Sequence, residues 1–174
     1  MLYQMRNLCN IETMKSIYFS LFHSHLIYGI SVWGLAKTSL TNNVFKLQKR
    51  AIRIFSKSDY LAHTDPLFKK LSILKSHDQY LLNLSSMMWD YDHNKLPKSL
   101  NKWFKKTNHQ HLTRFATTGK LQPCTISTTK FGDYSFRNEG TQILNLLKDT
   151  PLYNDSISKT AFTKKMKLTL LQSY

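Results

Sequence analysis

The sequence predicts a mostly α protein: a helical bundle with one irregular basic segment, where one or two short strands fall around 113–135, and C-terminal helices. Three observations predict it. Apolar residues recur at three- and four-residue spacing through most of the chain. Ser, Thr, Asp and Pro stand where helices of that spacing would begin. From Thr107 to Tyr134 the helical period disappears and Thr, Ser, Gly and β-branched residues take over, which confines strand to that stretch. With 174 residues, 41% hydrophobic and 13% aromatic, the chain can build a real core and does not read as disordered.

Taken in order, Glu12 to about Trp33 reads as a long apolar helix. Ile17, Leu21, Ser24 or His25, and Tyr28 lie along one side, and Phe19, Phe22 and Leu26 widen a surface expected to be buried. Gly29 and Gly34 weaken its end or admit a close neighbour, and Gly29, Trp33 and Gly34 are assigned to helix-end packing. Ser39 to Asn43 reads as a turn with Thr41 or Asn42 as N-cap. The helix Asn43 to Lys57 follows, its apolar stripe being Val44, Leu47, Ala51, Ile54 and Phe55. Asp65-Pro66 signals the next start, and Ser76 with Gln79 matches a capping box. In the helix after it, Tyr80, Leu81, Leu84, Met87, Met88 and Tyr91 should be buried. Pro97 starts a short helix carrying Leu100, Trp103 and Phe104. Helices are also expected from about Phe136 to Lys148, and from Ser158 as N-cap to near Gln172. Grouped by character, 1–58 is a helical hairpin with a basic helix, and 59–106 a helical connection. The basic irregular segment and last helices, 107–174, should form one compact unit with 1–106.

Charge is the strongest functional signal. The formal net charge is +15 and the pI about 9.9. Residues 1–58 hold eight Lys or Arg against one Glu, and 93–132 hold eight against no acid. The remaining segments carry nine of each sign and cancel. Within the first excess, Lys46, Lys49, Arg50, Arg53 and Lys57 recur at helical spacing and form a ridge. A solvated amphipathic helix accounts for such a ridge, and so does a rail for a nucleic-acid backbone. In the second excess, Lys98, Lys102, Lys105 and Lys106 surround Trp103 and Phe104, and Arg114 follows. Those aromatics either stack bases or anchor the short helix to the core. The uneven placement of charge favours nucleic acid over a membrane surface.

Catalytic patterns are lacking. Asp90 and Asp92 diverge by about 200° on a helix, so they do not converge on one ion and read as a solvated helix end. His23-x-His25 and His109-x-His111 lack the companions of a zinc site. No phosphate loop, nucleophile elbow or HExxH motif occurs. The expectation is no catalytic residue, no metal and no cofactor. Cys9 and Cys124 imply no disulfide framework and a reducing, intracellular home, nuclear or cytoplasmic. Ser16 to Ala36 lacks charge over a membrane-spanning length. His23, His25, four serines and two glycines make a buried helix the better account, and no membrane partner is expected.

One resemblance joins these features. Tyr18 before an apolar helix, His25-Leu26-x-Tyr28-Gly29, Trp33-Gly34 and Leu47-Gln48-Lys49-Arg50-Ala51-Ile52-Arg53-Ile54 occur in this order. His63-Thr64-x-Pro66-Leu67-Phe68, Leu71-x-Ile73-Leu74, Leu96-Pro97 and His111-x-Thr113-Arg114 follow. The set resembles the region after the polymerase palm in non-LTR (LINE-type, jockey-like) retrotransposon reverse transcriptases. The resemblance implies a thumb-like helical module that packs beside the palm and fingers of a parent RNA-directed DNA polymerase. It would hold an RNA–DNA or RNA template–primer duplex through phosphates. The family's aromatic-x-Asp-Asp metal motif has no match here, so this chain should not polymerise on its own. Leu144-Asn145 stands where the family usually has Trp-Asn. The alternative reading is a basic protein-interaction module that docks through its apolar N-terminal helix.

Overall fold

A computed structural model describes residues 2–36, 38–104, 119–122, 135–151, 153 and 157–174. The fold is mostly α, as the periodicity predicts. The elements are α1 (Leu2–Met5), α2 (Ile11–Ile17), a π-helical turn (Tyr18–His23), α3 (Ser24–Ile27) and α4 (Ile30–Trp33). Then come α5 (Thr38–Phe55), α6 (Asp65–Leu71), α7 (Ser76–Asp92), α8 (Lys98–Asn101), α9 (Phe136–Lys148) and α10 (Lys159–Gln172). The expected strands around 113–135 lie largely outside the described residues. The chain divides into two compact units, 1–80 with 167–174, and 81–166.

In the first unit the expected single helix from Glu12 is interrupted twice. The π turn inserts extra backbone per turn, which rotates the face that follows. Gly29 then adopts a left-handed φ of +63°, a conformation glycine takes without steric cost. Trp33 Nε1 closes the break by donating to the Tyr28 carbonyl at 3.0 Å. These interruptions change what is buried. Met14, Tyr18, Leu26 and Ile30 point inward, whereas Leu21 is exposed and Tyr28 is 85% exposed. The segment 16–36 is thus divided among short helical pieces, and no described helix is long and apolar enough to cross a membrane.

α5 starts at Thr38, so the expected turn at Ser39–Asn43 is helical instead. Thr41 Oγ1 donates back to the Thr38 carbonyl at 3.2 Å, satisfying its hydroxyl within the helix. The buried face of α5 is Gln48, Ala51, Ile52 and Phe55. This corrects the predicted stripe: Leu47 is 59% exposed, and the true face includes a glutamine that a hydrophobic pattern passes over. Ala51, Ile52 and Phe55 pack with Met14, Tyr18, Phe68, Leu71 and Ile73. The Tyr18 and Phe55 rings lie parallel with centroids 6.0 Å apart. Tyr174 closes this unit, its hydroxyl accepting from the Lys75 N–H at 2.9 Å and donating to Asp78.

In the second unit, α9 has the bounds the sequence predicts, and its N-cap Ser135 accepts from the Asn138 N–H. Ser158 Oγ accepts the Ala161 N–H at 3.3 Å at the start of α10. Leu82, Ser85 and Trp89 are buried on α7, where Leu81 and Met87, expected inside, are only half-buried. Trp89, Leu147 and Phe162 form one core cluster. Gly140 lets α9 approach closely, since a Cβ there would stand 2.8 Å from Met88 Sδ and 3.1 Å from the Phe104 ring. Asn145 accepts the Leu121 N–H at 2.8 Å and donates to the Leu121 carbonyl at 3.0 Å. Asp90 and Asp92 are not a solvated helix end. Asp90 pairs with Lys159; Asp92 pairs with Lys148 at 3.0 Å and accepts from the Tyr153 hydroxyl at 2.6 Å.

Candidate nucleic-acid interface

The rotation of α5 decides what its basic residues can do. At about 100° per residue, Lys46, Lys49, Arg50 and Arg53 share one stripe, and Gln48, Ala51, Ile52 and Phe55 occupy the opposite side. Burial of the second set turns the first outward. Lys46 and Arg50 are exposed, Lys49 and Arg53 half-exposed. Lys49 Nζ lies 4.4 Å from the centre of the Phe45 ring. Arg53 Nε donates to the Ala62 carbonyl at 2.9 Å. Lys57 is separate from the ridge: it follows the end of α5 with φ +55°, exposed.

Among the described residues, the ion pairs engage Lys75, Lys120, Lys148, Lys159 and His77, and none engages the α5 cations. Unpaired cations on one face retain their full charge for an external anion. The N-terminal segment adds to this face. Tyr3, Arg6, Arg50, Arg53, Asp59 and Tyr60 line a cavity of about 320 Å³, and Arg6 Nη2 donates to the Ser58 carbonyl at 3.3 Å. Nothing in the local sequence around Tyr3, Arg6 or Tyr60 links them to α5. Only the placement of α1 and of the turn after α5 brings them to it.

The second predicted cluster is described in part. Lys98 and Lys102 are exposed, and Lys105, Lys106 and Arg114 lie outside the described residues. The two aromatics behave differently. Phe104 is buried against Tyr91 and Phe136, so it anchors the short helix, whereas Trp103 is 48% exposed and retains an open face.

A third surface is apolar. Leu21, Phe22, His25, Leu26, Trp33, Val44 and Leu47 line a groove of about 320 Å³. Among the described residues, no three His, Cys, Asp or Glu side chains gather as a metal site. No protein-family model, curated protein sequence or solved structure significantly matches the chain.

Proposed function

We propose that this chain is a nucleic-acid-binding module without catalysis of its own, the thumb and C-terminal region of a non-LTR retrotransposon reverse transcriptase. It grips an RNA–DNA or RNA template–primer duplex through backbone phosphates, beside a palm and fingers supplied by the parent polymerase, in the nucleus or cytoplasm. The observation that carries the binding reading is the outward stripe of Lys46, Lys49, Arg50 and Arg53, which makes no ion pair with a described acid. Cations in a helical row contact successive phosphates without reading sequence. The family reading rests on the order of the short motifs quoted above.

The test is binding of the purified chain to a labelled RNA–DNA hybrid across a salt series, with Lys46→Glu/Arg50→Glu alongside. Both side chains are exposed and make no ion pair with a described acid, so the variant reports contact rather than folding. Steep weakening with salt, reduced in the variant, supports the reading. Absence of binding at low salt, or identical slopes, removes the ridge from it. A second reading, docking of another protein on the apolar N-terminal helices, is favoured by the groove beside Leu21 and Leu47 and by exposed Tyr28 and Val32. Binding through that surface would strengthen, not weaken, with sulfate.

A further inference from the structure

We infer that the cavity between α1, α5 and the turn after it is a site for one unpaired nucleotide, whose phosphate sits among Arg6, Arg50 and Arg53 and whose base stacks on Tyr3 or Tyr60. The inference rests on the nucleic-acid reading above and adds to it a second kind of contact. A duplex backbone lies across a ridge, but it does not enter a cavity.

The argument begins with charge. Three guanidinium groups face one cavity, and none is paired with an acid among the described residues. Three arginines against the single acid Asp59 leave the lining with an excess of positive charge that an anion would relieve. Guanidinium also matches phosphate oxygens bidentately, which a lysine cannot do. Two of the three are already oriented by the backbone: Arg53 through the Ala62 carbonyl at 2.9 Å and Arg6 through the Ser58 carbonyl at 3.3 Å. Each keeps further N–H groups for a ligand. The acid among the lining residues, Asp59, accepts the Tyr60 N–H through Oδ1 at 2.7 Å and makes no ion pair with the three arginines among the described residues.

Size and the aromatic walls narrow the ligand. The cavity volume of about 320 Å³ falls at the low end of small-molecule sites, roughly 300–1,000 Å³. It therefore suits one nucleotide better than a longer segment. Tyr3 and Tyr60 are 70% and 74% exposed, so both rings are accessible to a stacking base. Phosphate on one side and an aromatic plane on the other is the chemistry of a nucleotide. Its source is either a free mononucleotide or the 5′-phosphorylated end of a single strand.

The experiment compares the full chain's affinity for 3′-labelled single-stranded trinucleotides carrying a 5′-phosphate or a 5′-hydroxyl. Adenosine monophosphate serves as an unlabelled competitor, and a blunt RNA–DNA hybrid is measured in parallel. The expected preference for the 5′-phosphate is about tenfold, from charge-assisted hydrogen bonds that the hydroxyl lacks. Arg6→Gln should bring that ratio near one. Lys70→Gln, which removes the same charge at an exposed position outside the cavity, serves as the charge-matched control and should leave the ratio near its parent value. Arg50→Gln, at an exposed position, gives the same reading should Arg6→Gln fail to fold. Tyr3→Ala/Tyr60→Ala should weaken both trinucleotides together. Competition by the monophosphate identifies a free nucleotide as sufficient, and its failure assigns the site to strand ends. A ratio near one in the parent chain, or a ratio unaltered by both arginine variants, overturns the inference. Hybrid binding without phosphate preference leaves the ridge standing and removes the cavity site; preference without hybrid binding does the reverse.

Discussion

Gln48 Oε1 accepts the backbone N–H of Ser76 at 2.8 Å, so a side chain from the middle of α5 caps the first turn of α7. The same amide donates from Nε2 to the Leu74 carbonyl at 2.8 Å and to the Tyr18 hydroxyl at 3.1 Å. Gln48 is fully buried, and its amide thereby joins α5 to two other segments of the first unit. It also fixes the rotation of α5, because the face carrying Gln48 lies opposite the one carrying Lys46, Arg50 and Arg53.

Replacement of Gln48 by Leu should therefore cost more than its volume suggests. The change fills the space but leaves the Ser76 N–H and the Leu74 carbonyl unpaired in the core, at about 1–3 kcal/mol each. A loss of about 2–4 kcal/mol in urea unfolding is expected. A loss below about 0.5 kcal/mol would mean that water or a local shift replaces the amide.

For the ridge, the measurable quantity is the salt slope. Each phosphate contact contributes about 0.9 to the dependence of log K on log salt. Lys46→Glu/Arg50→Glu should lower the slope for the RNA–DNA hybrid by about two. Gln48→Leu, in conditions where it stays folded, should leave the slope unaltered.

Much of this fold was legible locally, and two of the misreadings share one cause. The bounds of α9 and the start of α10 follow from Ser135 and Ser158, whose caps act within three residues. The buried face of α5 was misplaced because Gln48 counts as polar until its partners, 26 to 30 residues away in sequence, are known. Asp90 and Asp92 looked solvated for the same reason; their partners Lys159 and Lys148 lie on later helices. The cationic ridge was visible because its spacing is local. Arg6, Tyr3 and Tyr60 were not, since only the fold brings them to Arg50 and Arg53.

The two glycines of the N-terminal segment should respond differently to alanine. At Gly34 a Cβ would stand 2.4 Å from Tyr80 Cδ2 and 2.5 Å from the Ile30 carbonyl, too close without movement of the backbone or the ring. Overpacking of this kind costs about 1–3 kcal/mol. At Gly29 a Cβ would meet Trp33 Cδ1 at an ordinary contact distance of 3.8 Å, and the cost is the left-handed φ of +63°, about 1–2 kcal/mol. Adding Tyr80→Ala should recover part of the Gly34→Ala loss and none of the Gly29→Ala loss.

His23 gives the acid side of the stability profile. Burial, with Lys167 as a lesser cause, lowers its pKa below the usual 6.5, and its Nδ1 is buried with no hydrogen-bond partner among the described residues. The unfolded chain then takes up the proton first, so stability falls as pH drops below about 6.5. Unfolding of the parent chain and His23→Phe between pH 7.5 and 5 should show a weaker decline in the variant. Equal declines would assign the acid limb to other groups.

The alkaline side belongs in part to Tyr18. Burial of its phenol outweighs the hydrogen bond from Gln48 and raises its pKa from 10.0 to about 12. Below pH 10 the phenol is neutral in both folded and unfolded chains, and its contribution to stability is fully present. Between 10 and 12 the unfolded chain loses the proton while the folded one retains it, so stability falls as pH rises. Two units correspond to about 2–3 kcal/mol. Burial also raises Tyr91 and Tyr174, so Tyr18→Phe should reduce the alkaline loss without abolishing it. At pH 7 the same variant should cost only about 1 kcal/mol, because Gln48 Nε2 retains the Leu74 carbonyl. Urea unfolding at pH 7, 9 and 11 separates the two effects. A variant that loses as much stability as the parent between pH 9 and 11 would exclude Tyr18 as a source of the alkaline limb.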